Sequence, residues 1–158
     1  MLLPFFEWMG GLRLSAFFLE SIWPTPIIQN IHLMAVAVFA GSVLVVDIRM
    51  LGRGLRETPL AQLARSVEPW LIGSFVVLVI SGIPQMTSTA LKQYYSPFFW
   101  WKMQAVLIGV IWTVTVRRRI AMRPEAELGP VLPKVVAVVS IALWTSVTIG
   151  ARLIGLMG

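Results

Sequence analysis

Residues 26–50 read PIIQNIHLMAVAVFAGSVLVVDIRM. Gln29, Asn30 and His32 lie near one end of this stretch and Asp47 and Arg49 near the other. An α-helix rises about 1.5 Å per residue and the hydrocarbon layer of a bilayer is about 30 Å thick, so about 20 apolar residues cross it. This segment therefore predicts a transmembrane helix. Three more stretches have the same character: Trp70–Met86, Pro97–Val116 and Val131–Leu156. The third passes from the aromatic cluster Phe98-Phe99-Trp100-Trp101 to the basic run Arg117-Arg118-Arg119.

The composition agrees. The 158 residues are 58% hydrophobic and only 13% charged, with a mean hydropathy of +0.83, whereas soluble domains average about 25% charged residues. One all-α membrane domain is expected, an integral four-helix bundle. The net charge of +6 does not indicate nucleic acid, because the cations fall in short runs between apolar blocks. Arg49, Arg53, Arg56 and Arg65 follow the first span, and Arg117, Arg118, Arg119, Arg123 and Lys134 follow the third, nine of the thirteen Lys and Arg in all. Cytoplasmic loops carry such an excess. A multi-pass membrane protein with both termini on the outer side, periplasmic or extracellular, is the expected topology. The 87–96 loop, with Lys92, Tyr94 and Tyr95, suits the outer headgroup region.

Residues 1–23 are apolar but interrupted by Glu7, Arg13 and Glu20. Burying an Arg or an Asp at mid-span costs roughly 2.5–3.5 kcal/mol on insertion scales. An amphipathic helix lying in the outer interface, flanked by Trp8 and Trp23, is the cheaper reading. The segment lacks a signal-peptide cleavage pattern and is expected to remain on the mature protein.

With no cysteine and a single histidine, thiolate centres and multi-histidine zinc sites within one chain are excluded. The informative residues are then the polar ones inside the spans. Counting depth along each helix puts His32, Lys102, Arg152 and the pair Gln85-Met86 at one level in the outer leaflet, with Gln29 one turn from His32. Lys102 and Arg152 have stems long enough to snorkel to the headgroups. His32 has no such stem and needs either a hydrogen-bond partner or a ligand. Met34, Met86 and Met103 read as packing residues before they read as ligands, and Gly82 beside Ser81 as a close helix contact or kink. At the inner end, Asp47 reads as an anchor paired with an arginine of a neighbouring helix. No Ser–His–Asp or paired-carboxylate set shares a depth, which disfavours hydrolytic chemistry.

Several short pieces resemble a superfamily of small bacterial four-helix membrane proteins that includes CopD-like copper-resistance domains and the HemJ-type protoporphyrinogen oxidase. They are His32-Leu33-Met34 with Phe39-Ala40-Gly41, then Asp47-Ile48-Arg49-Met50-Leu51-Gly52, Pro69-Trp70, Ser81-Gly82, and Pro97 through Met103. The nearest likeness is to an uncharacterised family whose first span ends in D-[LI]-R-x-L-G. The resemblance covers about residues 26–120. It implies haem b bound by His32 as metal ligand, with Lys102 functionally important; the further third-span histidines of the HemJ-type enzymes have no counterpart here.

Neutral imidazole is a good axial ligand for haem iron, and Lys102 and Arg152 are suited to pair with propionates. The sixth position is left open or filled by Met86, Met103, Lys102, a small molecule, or His32 of a second copy in a homo-oligomer. The expected role is electron transfer or redox chemistry at the outer leaflet, with a quinone or a periplasmic protein as partner. The competing roles are a non-catalytic scaffold or accessory subunit of a larger complex, and a transporter for copper or another small solute.

Overall fold

The computed structural model describes residues 1–157. It is all α-helix: α1 (Leu3–Gly10), α2 (Arg13–Glu20), α3 (Pro24–Met50), α4 (Leu60–Ser88), α5 (Ala90–Tyr95), α6 (Pro97–Ala121) and α7 (Leu132–Met157). Helices α3, α4, α6 and α7 are long and apolar enough to cross a membrane, and together they form a membrane helical bundle. Their outward surfaces carry the side chains a lipid environment accepts, among them Ile27, Leu33, Ile80, Leu107 and Val138, all exposed.

The breaks between helices follow local chemistry. Proline stands in the first turn of α1, α3 and α6, where its missing N–H costs no intrahelical bond. Helix α3 ends in a Schellman motif, in which Arg53 N donates to Ile48 O at 3.2 Å and Gly52 N to Arg49 O at 3.0 Å. Gly52 takes a left-handed φ of 73° to allow it, a conformation that glycine adopts without steric cost. The Asp47–Gly52 motif is thus an end-of-helix device. Met50 joins the core, Gly52 turns the chain, and Asp47 and Arg49 reach to other helices.

Two buried clusters close the bundle at its ends. The arginine end packs Val46, Met50, Leu60, Ile120 and Ala137. The aromatic end packs Phe6, Met9, Ala90 and Phe99. Here the first 23 residues, expected as one interfacial helix, resolve into two. They break at Gly11-Leu12, and one face of each helix folds against the bundle. Phe6 and Met9 of α1 are buried against α5 and α6. From α2, Ser15 Oγ donates to Thr87 O at 3.1 Å, and Thr25 Oγ1 at the start of α3 donates back to Phe18 O at 2.7 Å. The outward faces keep Trp8, Phe17 and Trp23 exposed, as an interfacial segment requires.

At the arginine end three ion pairs knit the helices. Arg117 Nε donates to Asp47 Oδ1 at 2.8 Å and its Nη2 to Val43 O at 2.9 Å. Both side chains are almost wholly buried, at 6% and 0% exposed. Arg117 turns inward because α6 passes through a π-helical turn at Thr113–Arg117, which inserts one extra residue and rotates everything after it about the helix axis. Near the surface Arg118 pairs with Glu68. Glu125, in the loop between α6 and α7, accepts from Arg49 Nη2 and from Leu60 N, both at 2.7 Å. One carboxylate therefore holds the end of α3 and caps the start of α4.

Candidate functional site

His32 and Asp47 lie on α3, fifteen residues apart, about 22 Å along the helix. Lys102 and Arg117 lie on α6 with the same spacing. The helices run parallel on opposite sides of the bundle, so the 70-residue offset that joins Asp47 to Arg117 also joins His32 to Lys102. Lys102 and His32 thus lie in the same part of the bundle. Two polar layers result, one toward each end.

Between them lies an aromatic septum. Phe39 packs edge-on against Trp144, with ring centroids 4.6 Å apart, and at a tilt against Phe75, at 6.0 Å. Phe39 is two turns of α3 from His32, and the Trp144 indole N–H is held by Thr113 Oγ1 at 3.2 Å. This layer of rings separates the His32 level from the Asp47 level.

His32 is half-buried, and its partner is on α4. Its Nδ1 and Ser81 Oγ are 2.8 Å apart. Ser81 has one hydroxyl proton, and it is directed to Val77 O at 2.6 Å. Its oxygen is therefore an acceptor toward the ring, so His32 Nδ1 carries the hydrogen and donates it. The neutral ring then leaves Nε2 with a free lone pair, the form that binds metals. Gly82 flanks the same ring: a Cβ there would stand 3.6 Å from His32 Cε1. Ser81 thus orients the imidazole, and Gly82 lies along its edge. The expected kink or close contact is a contact with the histidine itself.

Lys102 is half-buried, with Nζ 5.6 Å from the centroid of the Phe99 ring. A cation over an aromatic face gains from the ring quadrupole. Among the described residues no carboxylate pairs with it; every ion pair lies at the arginine end. The aromatic-end layer therefore combines an imidazole lone pair with a cation that no carboxylate among the described residues pairs with.

The other residues expected at this level divide. Gln85 is close, its Nε2 donating to Ser81 O at 3.1 Å, and it braces the turn that carries Ser81. Met86 packs against the Phe6–Phe99 cluster, a packing role. Gln29 and Arg152 are exposed, as are Met34 and Met103. Depth along a helix is not direction around it, and the common layer reduces to His32, Ser81, Gln85 and Lys102. Ser81 as hydrogen-bond partner was the missing member; its signal was its place immediately before Gly82 on a span otherwise apolar at that depth. Among the described residues no group of three or more His, Asp and Glu is arranged to hold a metal ion.

No curated protein and no solved structure matches this chain. A family model does match, across residues 5–157, a range that takes in both polar layers and the aromatic cap. The chain belongs to DUF6644, a family of unknown function.

Proposed function

We propose that this protein is a haem b-binding redox protein of the bacterial inner membrane, with the His32 end toward the outside. The observation that carries the reading is the meeting of two groups at one level: an imidazole whose Nδ1–H is spent on Ser81, and an ammonium that no carboxylate among the described residues pairs with. Haem b answers both, offering iron to a nitrogen lone pair and propionates to a cation. His32 holds the iron through Nε2, Ser81 fixes the tautomer and ring plane, and Lys102 pairs with a propionate. Such second-sphere hydrogen bonds to a ligating histidine are a general feature of metal sites. Bound haem b supplies one-electron chemistry, and the residues around His32 set its orientation and exclude water. The orientation in the membrane rests on the cations at the Asp47 end, since cytoplasmic loops carry the excess of Lys and Arg.

The septum of Phe39, Phe75 and Trp144, with the neutralised Asp47–Arg117 pair beyond it, weighs against a solute pathway through one protomer. Protein purified in detergent from cells supplied with a haem precursor is expected to show a Soret band, lost in His32→Ala and weakened in Lys102→Met. A colourless preparation that also fails to take up added hemin overturns the proposal. A spectrum of bis-histidine type would assign the sixth position to His32 of a second copy and make the functional unit a homo-oligomer.

A further inference from the structure

The four long helices form an arc rather than a closed ring. Helix α3 packs along α4 and α7, and α7 along α6, but α4 and α6, the two ends of the arc, scarcely meet along their lengths. They are pinned at their tips. At the arginine end Arg118 Nε donates to Glu68 Oε1 at 2.7 Å. At the aromatic end Met86 packs against the cluster that contains Phe99. Glu68, Phe75, Val79 and Met86 recur at helical spacing along one side of α4, so Phe75 and Val79 face the seam between the pins. Eleven residues along α4 from Glu68, and twelve back along α6 from Arg118 to absorb the π-turn, bring Val79 level with Val106. At this height Val79 is 50% exposed and Met103, three residues from Val106, 41%, so no side chain of the protein covers either.

The two approaches to His32 and Lys102 along the bundle axis are obstructed. Phe6, Met9 and Phe99, each 6% exposed or less, cover the aromatic end, and Ser15 ties α2 down at Thr87. The septum and the Asp47–Arg117 pair close the opposite direction. We infer that the seam between α4 and α6 is a lateral portal, through which a membrane-dissolved molecule with an apolar body and a carboxylate head reaches Lys102 and His32. The apolar lips select the body, and the uncompensated cation behind them selects the head. The inference rests on the proposed function for what happens at His32, but the portal is testable without haem.

The chain has no cysteine, so Ser81→Cys introduces a single thiol at the site. In proteoliposomes a pyrene maleimide dissolved in the bilayer is expected to label this thiol, while a membrane-impermeant sulfonated maleimide added outside does so at least about tenfold more slowly. Val79→Trp added to that variant slows the lipid-phase labelling, and Val79→Ala, which cannot jam the fold, accelerates it. Equal labelling by both reagents, or no response to either Val79 change, overturns the portal and leaves the haem reading standing; a colourless protein with the expected labelling does the reverse. Competitors identify the carboxylate. Protection by protoporphyrin IX alone makes the seam the cofactor's entrance, and protection by oleate alone makes it the entrance for a carboxylate lipid. Protection by neither removes the carboxylate head from the proposal.

Discussion

The same two helices carry a polar pair at each end, at the same offset, and the two pairs differ in one respect that decides their roles. At the arginine end the partners are an acid and a base, Asp47 and Arg117, joined at 2.8 Å and almost wholly buried. At the aromatic end they are two bases, His32 and Lys102, neither matched by a carboxylate among the described residues. A buried acid–base pair is complete in itself. Two bases facing one interior do not neutralise each other, and on the proposed function a ligand does so. Equivalent backbone positions thus make a fastener at one end and, on that reading, a receptacle at the other, and the two are separated by the rings of Phe39, Phe75 and Trp144.

The largest effect expected from breaking this comparison is at the fastener. Arg117→Met leaves Asp47 charged and unpaired in the interior, and removing one member of a buried pair costs about 3–5 kcal/mol. Asp47 has little reserve. Its Oδ2 makes no well-formed hydrogen bond, and the Ser140 hydroxyl stands beside the carboxylate as a loose second partner. Unfolding in mixed detergent micelles checks this. Combining Arg117→Met with Asp47→Leu should restore most of the loss, because no charge is then stranded. A single variant that unfolds like the parent would mean that the pair is not a fastener.

Next comes Ser81→Ala. It strands the His32 Nδ1–H and frees the tautomer, at about 1–2 kcal/mol for an unsatisfied partly buried donor, and it should broaden any ligand spectrum while Arg117→Met shifts only stability. Lys102→Met is the direct counterpart of Arg117→Met and should behave oppositely. With no ion pair to lose it should change stability by less than about 1 kcal/mol, while carboxylate binding falls. A destabilisation equal to that of Arg117→Met would erase the distinction between the two ends.

The spans and their order were legible from hydropathy because lipid demands long apolar runs. The His32 and Lys102 levels were legible because depth is countable. Directions were not. Gln29 and Arg152 share the depth but point outward, since a small error in helical phase turns a side chain from interior to lipid. Helix α4 begins ten residues before the Trp70 start suggested by Pro69. Its first turns place Leu60, Leu63, Ala64 and Val67 against the core, a helical pattern that holds through the proline. The Arg117-Arg118-Arg119 run reads as a stop, yet the helix continues to Ala121. The π-turn that buries its first arginine depends on tertiary pairing with Asp47, which local sequence does not encode. The recurring offset of 70 is written in the sequence, but only the known pairing of Asp47 with Arg117 gives it meaning.

The smallest expected effect separates the two ends by pH. The Glu125 carboxyl is held below its ordinary value, first by the Leu60 N–H that it caps and then by Arg49. A carboxyl whose folded value is depressed contributes stability that is fully present above the unfolded value. That contribution is lost as pH falls through the folded value. Lowering the pH below about 4.5 should therefore loosen the contacts of Arg49, Leu60 and Glu125 before anything at the His32 end changes. The carboxylate is half exposed, so the contribution is screened and small. Hydrogen exchange resolved by peptide reads it: residues 50–60 and 122–128 should lose protection on acidification, while residues 28–36 keep theirs. In Glu125→Gln the same segments should start less protected and show no acid step. An acid step that persisted in this variant would show that the Glu125 contacts are not its source and would remove pH as a way of telling the two ends apart.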